Sequence, residues 1–363
     1  MKYDKTQIDS QAGSSSSETP KKKKSKAKKY FLSGAFLVIL MAVTFYVIFK
    51  DTSIGEIWAV LKNVNIYYAL AGILAMIGFI IFQGVVIGLS AKCLQTKLSP
   101  WEMLQYSFVS FFYSGITPSA IGGQPMQFYH MCRDRMSPSK ATLVLFITNM
   151  AYQFVIVVLG LLMFFTKLQY ISKVNSSIII LFFLGLSVNV FILLILFGMM
   201  FSENLLRRIL EGAISLLCKI RLIKDREKAL KSIANYLDEF KSGIELIKAN
   251  GKRFSLILLS TMAHFILYHM VPYFVYRAFG FSSYSIFDFI AISAVLYVAI
   301  NLFPLPGSVG AAESGFVLLF TSFFGSTIMP AMLLSRFISF YTMMIISGAF
   351  SAFAQLRRPY NLS

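Results

Sequence analysis

The sequence predicts an all-α polytopic membrane protein with about six full spans and two re-entrant broken-helix pairs, arranged as an inverted repeat. Three observations carry that prediction. Of 363 residues, 57% are hydrophobic and 14% charged, against about 25% charged in an ordinary soluble domain. Several apolar runs approach the roughly 20 residues that a helix needs to cross a bilayer. Two further apolar segments break at Pro- and Gly-rich stretches that resemble each other. The same composition excludes a disordered chain, a collagen-like fibre and a disulfide scaffold. Cys93, Cys132 and Cys218 lie far apart, in no metal-ligand spacing.

The formal net charge of +18 is uneven, because residues 1–29 hold nine lysines and three acids. This Ser- and Lys-rich tail has no hydrophobic periodicity and reads as disordered. It is not expected to be a cleaved signal peptide, since the apolar segment after it is too long and lacks a small-residue cleavage site. A basic cluster beside a span anchors topology on anionic lipid. No aromatic-basic interleaving points to nucleic acid.

The spans follow in order. Tyr30 to Phe49 is the first, and the lysines before it place the N-terminus in the cytoplasm. Residues 52–64 read as an amphipathic helix on the outer surface. Ile66 to Ser90 returns inward. The segment from Trp101 to Tyr129 is apolar at first and breaks at Ser114–Pro125, with basic residues on both flanks. Its first arm has about a dozen apolar residues, too few for a hydrocarbon core of roughly 30 Å, so it reads as re-entrant from the cytoplasm. Ala141 to Phe165 crosses outward and Ser176 to Phe201 crosses back. Residues 203–253 are polar, with apolar positions at helical spacing (Ile233, Leu237, Phe240, Ile244, Ile247), and predict a pair of cytoplasmic amphipathic helices. Phe254 to Tyr276 crosses outward. The segment from Ile286 breaks at Asn301–Glu313, and the arm Phe316 to Phe324 returns to the outside. Met332 to Phe353 is the last span and puts Arg357, Arg358 and the C-terminal 357–363 in the cytoplasm.

Both breaks contain Pro-x3-Gly, as Pro118 to Gly122 and Pro306 to Gly310, and no other pair in the chain has that spacing. An acid precedes each at similar range (Glu102, Asp288) and a full span follows each. One excursion starts from inside and the other from outside, which is the pattern of an inverted-repeat transporter. Broken backbone at membrane depth needs protein or a water-filled cavity to satisfy its N–H and C=O groups. Pro118, Gly122, Gly123 and Pro125, and Pro304, Pro306, Gly307 and Gly310, are therefore the candidate break residues.

Glu313 lies just after the second break and Arg336 inside the last span. A charge at mid-membrane costs roughly 2.5–3.5 kcal/mol and faces a cavity or an opposite charge. Two readings stay open: the two side chains line one polar cavity and contact a charged headgroup, or they form a structural ion pair or snorkel. Thr117, Gln124 and Gln127 at the first break and Asn301 at the second are candidate neutral contacts. Asn149 and Gln153, one turn apart, predict an interhelical hydrogen bond. His264 and His269 point about 140° apart on a helix and make a poor metal pair. No nucleophile elbow, Walker loop or HExxH motif occurs, so no catalytic residue, metal or cofactor is expected.

With these residues placed, the chain resembles the transmembrane, flippase-like domain of lysylphosphatidylglycerol synthases, as in the N-terminal part of the multiple peptide resistance factor. The resemblance runs over roughly residues 30–356. It rests on GITPSAIGGQPMQFYHM (Gly115–Met131), LPGSVGAAESG (Leu305–Gly315) and LLSRFISFYTMMIISG (Leu333–Gly348). It implies movement of an anionic or lysylated phosphatidylglycerol between the leaflets of a bacterial plasma membrane. Glu313 would then pair with a lysyl amine and Arg336 with the phosphate. In the fused relatives a soluble domain transfers lysine from lysyl-tRNA, and this sequence shows no such domain, so that catalysis is not expected of it. The expected partners are membrane phospholipids, with a separate synthase and a second copy of the chain as further candidates. The rival readings are a transferase component and a non-transporting lipid-binding scaffold.

Overall fold

The computed structural model describes residues 62–117, 120–174, 176–219, 237, 240–246, 249–301, 308 and 310–356. The basic tail, the span from Tyr30 to Phe49, residues 52–61, Pro118, Pro304, Pro306, Gly307, most of 220–239 and the C-terminal 357–363 lie outside them. Every regular element among the described residues is helical. Five apolar helical stretches there are long enough to cross a membrane: Ile66–Cys93, Pro138–Thr166, Ser177–Phe201, Gly251–Ala278 and Ala311–Gln355. The chain is an all-α polytopic membrane protein.

The helices are α1 (Ile66–Cys93), α2 (Pro100–Gly115), α3 (Gly123–Arg133), α4 (Pro138–Thr166), α5 (Leu168–Val174), α6 (Ser176–Phe201), α7 (Glu203–Lys219), α8 (Gly251–His269), α9 (Val271–Ala278), α10 (Ile286–Ile300), α11 (Ala311–Phe324), α12 (Ile328–Arg336) and α13 (Thr342–Leu356). Two of the expected boundaries move. The stretch read as Phe254 to Tyr276 is divided at Met270, where Pro272 at the start of α9 has no N–H to continue the ladder. The last span starts at Ile328, well before Met332, and carries a π turn at Phe337–Tyr341 between α12 and α13.

The order long helix, short helix, break, short helix, long helix occurs twice. α1 to α4 begin at Ile66, Pro100, Gly123 and Pro138. The second set begins at Gly251, Ile286, Ala311 and Ile328, so each start lies 185 to 190 residues after its counterpart. Local chemistry repeats with the order. Ser99 caps α2 and Glu102 reaches back to the Ser99 N–H, while Ser285 and Asp288 do the same for α10. These reciprocal bonds satisfy two donors that a helix start leaves open. With 16 and 15 residues and a rise of about 1.5 Å per residue, α2 and α10 are both too short to span.

The two halves are inverted. The Asn65 N–H donates to the Ala278 carbonyl at 2.8 Å, joining the start of α1 to the end of α9. Midway, His264 Nδ1 lies 2.7 Å from the Phe79 carbonyl. At the far end, Arg253 donates to the Lys92 carbonyl at 3.2 Å. Equivalent helices α1 and α8 thus run antiparallel along their length. The cross-packing is reciprocal too: α2 lies on α13 of the other half, and α10 lies on α4.

α6 packs outside this repeat, against α4 and α10. Small residues allow close approach to α10: a Cβ on Gly185 of α6 would sit 2.1 Å from the Val298 carbonyl oxygen, and one on Gly160 of α4 2.9 Å from the Val298 side chain. With no hydrophobic driving force between helices in lipid, such close packing holds them together. At one end, Leu237, Phe240 and Ile244 from the expected amphipathic stripe are buried in a cluster with Leu143 and Phe146 of α4.

Candidate functional site

The breaks are built alike. In the first, Ala120 has φ +54°; in the second, Ser308 has φ +51°. Each is the middle residue of a Pro-x3-Gly element, and each holds a left-handed conformation that costs a non-glycine residue roughly 1–2 kcal/mol. Thr117 closes the first break: its hydroxyl donates to the Tyr113 carbonyl at 2.6 Å and accepts from the Gly122 N–H at 2.9 Å. Gly123 starts α3 against α2, where a Cβ would meet Ser114 Oγ at 2.1 Å. In the second break, Gly310 has φ +87° and precedes α11.

Glu313 is on the first turn of α11 and 4% exposed. Both carboxylate oxygens are engaged. Oε2 accepts the Gly310 N–H at 2.6 Å, which is the backbone half of a capping box, and Oε1 accepts Arg336 Nε at 2.6 Å. A carboxylate at a helix N-terminus is also favoured by the helix dipole. Arg336 ends α12 at the π turn, and its guanidinium lies 5.1 Å from the Phe340 ring centre. π turns often mark functional positions because they re-aim side chains. The sequence left a shared headgroup cavity, an ion pair and snorkelling open, and the structure joins the two side chains as an ion pair.

Beside the pair is a cavity of about 50 Å³, lined among others by Tyr268, Ser293, Tyr297, Ala312, Ser335 and Arg336. At about 10–15 Å³ per water, it admits a few waters and no headgroup in this conformation. Ser293, Tyr297 and Ser335 were missed in the sequence. Their signal was small or aromatic hydroxyl groups inside strongly apolar helices. His269 Nδ1 lies 3.0 Å from Ser293 Oγ, and His264 is stacked on Phe79 with ring centres 3.9 Å apart. The two histidines thus have separate partners.

The other nominated residues divide. Gln127 is buried and donates to the Tyr106 carbonyl at 3.2 Å. Gln124 is exposed and donates to Asn149 Oδ1 at 2.6 Å, joining α3 to α4. Asn149 therefore makes the interhelical bond expected of it, whereas Gln153 Oε1 is buried without a partner. Asn301 caps α10 and is exposed. The structure brings Glu313 and Arg336 together at one site and Thr117, Gln124 and Gln127 together around the first break.

Inverted halves, paired helix breaks and a buried ion pair beside a cavity are the defining features of this all-α polytopic membrane protein. The chain belongs to the family described as the lysylphosphatidylglycerol synthase TM region, which it matches over residues 31–347. It is also similar to a UPF0104 membrane protein of Archaeoglobus fulgidus, with 24% identity over 318 residues, covering 87% of this chain and 94% of that protein.

Proposed function

We propose that the chain moves a phospholipid between membrane leaflets, its substrate being an anionic or aminoacylated lipid of the phosphatidylglycerol type. The observation that carries this reading is the Glu313–Arg336 pair: two opposite charges, Glu313 buried and Arg336 largely so, at a helix break beside a cavity. A purely structural pair would be an expensive way to fix α11 on α12, since apolar side chains of similar volume do as well or better. A lysylated headgroup carries an ammonium and a phosphodiester, which match Glu313 and Arg336 respectively. The family description supports that lipid class. Acyl chains stay in the bilayer while the headgroup passes between the halves, with Thr117, Gln124, Gln127 and Asn301 offering neutral hydrogen bonds along the way. The membrane is the bacterial plasma membrane, with both termini cytoplasmic.

The test is leaflet exchange in proteoliposomes containing phosphatidylglycerol, lysyl-phosphatidylglycerol or phosphatidylcholine. Protein-dependent exchange of the first two, strongly reduced by Glu313→Gln, is the expected result. No exchange of any of the three by folded protein, with ion gradients imposed, would overturn the proposal.

A further inference from the structure

The internal repeat gives Glu313–Arg336 a counterpart. Shifting back by the 188 residues that relate the two Pro-x3-Gly elements places Glu313 and Arg336 at positions 125 and 148, one residue from Gln124 and Asn149. Those residues are joined in the same manner, from the second short helix of the half to the long helix after it. Both links span 2.6 Å. They differ in two respects. Glu313–Arg336 offers one charge of each sign, whereas the amide pair offers hydrogen bonds and no charge. Glu313 is 4% exposed and the Arg336 side chain 12%, whereas Gln124 is exposed.

We propose that Gln124 and Asn149 form a second headgroup contact, the uncharged counterpart of Glu313–Arg336 on the opposite side of the membrane, and that the two halves expose these pairs in turn. The inference rests on the transport reading and deepens it. Matching elements in inverted halves can exchange conformations, and in this structure Gln124 is exposed while Glu313 is buried. An amide pair binds hydroxyl and ester oxygens, the uncharged polar part of a phospholipid headgroup. On that side the headgroup charges stay with water, while at Glu313–Arg336, where water is scarce, each finds an opposite charge. The path is therefore chemically asymmetric although its scaffold repeats.

The experiment reads thiol labelling by a membrane-impermeant maleimide in the full chain, with Cys93, Cys132 and Cys218 replaced by Ser. Ile121→Cys reports the first break, where Ile121 is 68% exposed, and Ser335→Cys reports the cavity, where Ser335 is 6% exposed. Glu313→Gln, which loosens the charged pair, is expected to raise labelling at 335 several-fold and lower it at 121 several-fold, from opposite faces. Faster labelling at 335 with 121 unchanged, or no change at either, overturns the alternation. Glu313→Asp, which keeps the charge, is expected to leave both rates near those of Glu313, and detergent size-exclusion shows that each variant is folded. For the contact itself, Gln124→Leu with Asn149→Leu is expected to slow lipid exchange about tenfold, the scale of one or two net hydrogen bonds; an unchanged rate overturns it. Labelling requires no lipid substrate. Reciprocal labelling without exchange would fault the lipid reading and keep the gating, and exchange without reciprocal labelling would do the reverse.

Discussion

At the residue scale, the pair Glu313–Arg336 has both a structural and a functional consequence, and mutants separate them. Removing one partner leaves an uncompensated buried charge, so Arg336→Ala should destabilise the protein by about 3–5 kcal/mol, read as a large loss of thermal stability in detergent. Replacing both, as Glu313→Gln with Arg336→Met, should return most of that stability. The charges themselves were legible in the sequence, because a Glu and an Arg inside apolar runs stand out. Which of the open readings holds was not, and nor was the cap that Glu313 makes to its own helix through the Gly310 N–H, a backbone bond that side-chain hydropathy does not register. Asn149 was legible as an interhelical donor or acceptor, but its partner Gln124, 25 positions earlier, was not.

At the scale of elements, the short helices were found by their breaks and not by their caps. Ser99 to Glu102 and Ser285 to Asp288 have capping-box spacing, and reading those four residues as helix starts would have fixed α2 and α10 from sequence alone. Each cap should contribute about 1 kcal/mol, so Ser99→Ala and Ser285→Ala should each lower thermal stability modestly and additively. The left-handed residues in the breaks could not be foreseen, because Ala120 and Ser308 are not residues that favour φ near +50°. Glycine relieves that strain, so Ala120→Gly is expected to leave stability unchanged or raise it. Gly310→Ala, at φ +87°, should lower stability. Where α6 meets α10, Gly185→Ala should force the helices apart and destabilise the bundle, since its Cβ would lie 2.1 Å from a carbonyl oxygen. Helix ends such as the division at Met270 escaped hydropathy because apolar side chains continue across it.

For the whole molecule, inversion is the feature on which the proposed transport depends. The sequence showed it through opposed loop charges and the paired Pro-x3-Gly breaks. The structure shows it through α1 and α8, tied antiparallel at Asn65–Ala278 and Lys92–Arg253. The starts of these two helices should therefore lie on opposite sides of the membrane. Tyr67→Cys and Lys252→Cys, both at exposed positions, are expected to label from opposite faces of sealed vesicles; labelling from the same face would contradict the inverted repeat. The α6 span was legible by its length, but its place beside α4 and α10 was not, because packing in lipid depends on glycines at single contact points.

The most direct test of the central claim is leaflet exchange of lysyl-phosphatidylglycerol by the paired variant Glu313→Gln/Arg336→Met, set beside its thermal stability. The account predicts a folded protein of near-normal stability whose exchange is lost. Exchange at the rate of the unaltered protein would contradict it, and would reduce the buried pair to a strut between two helices.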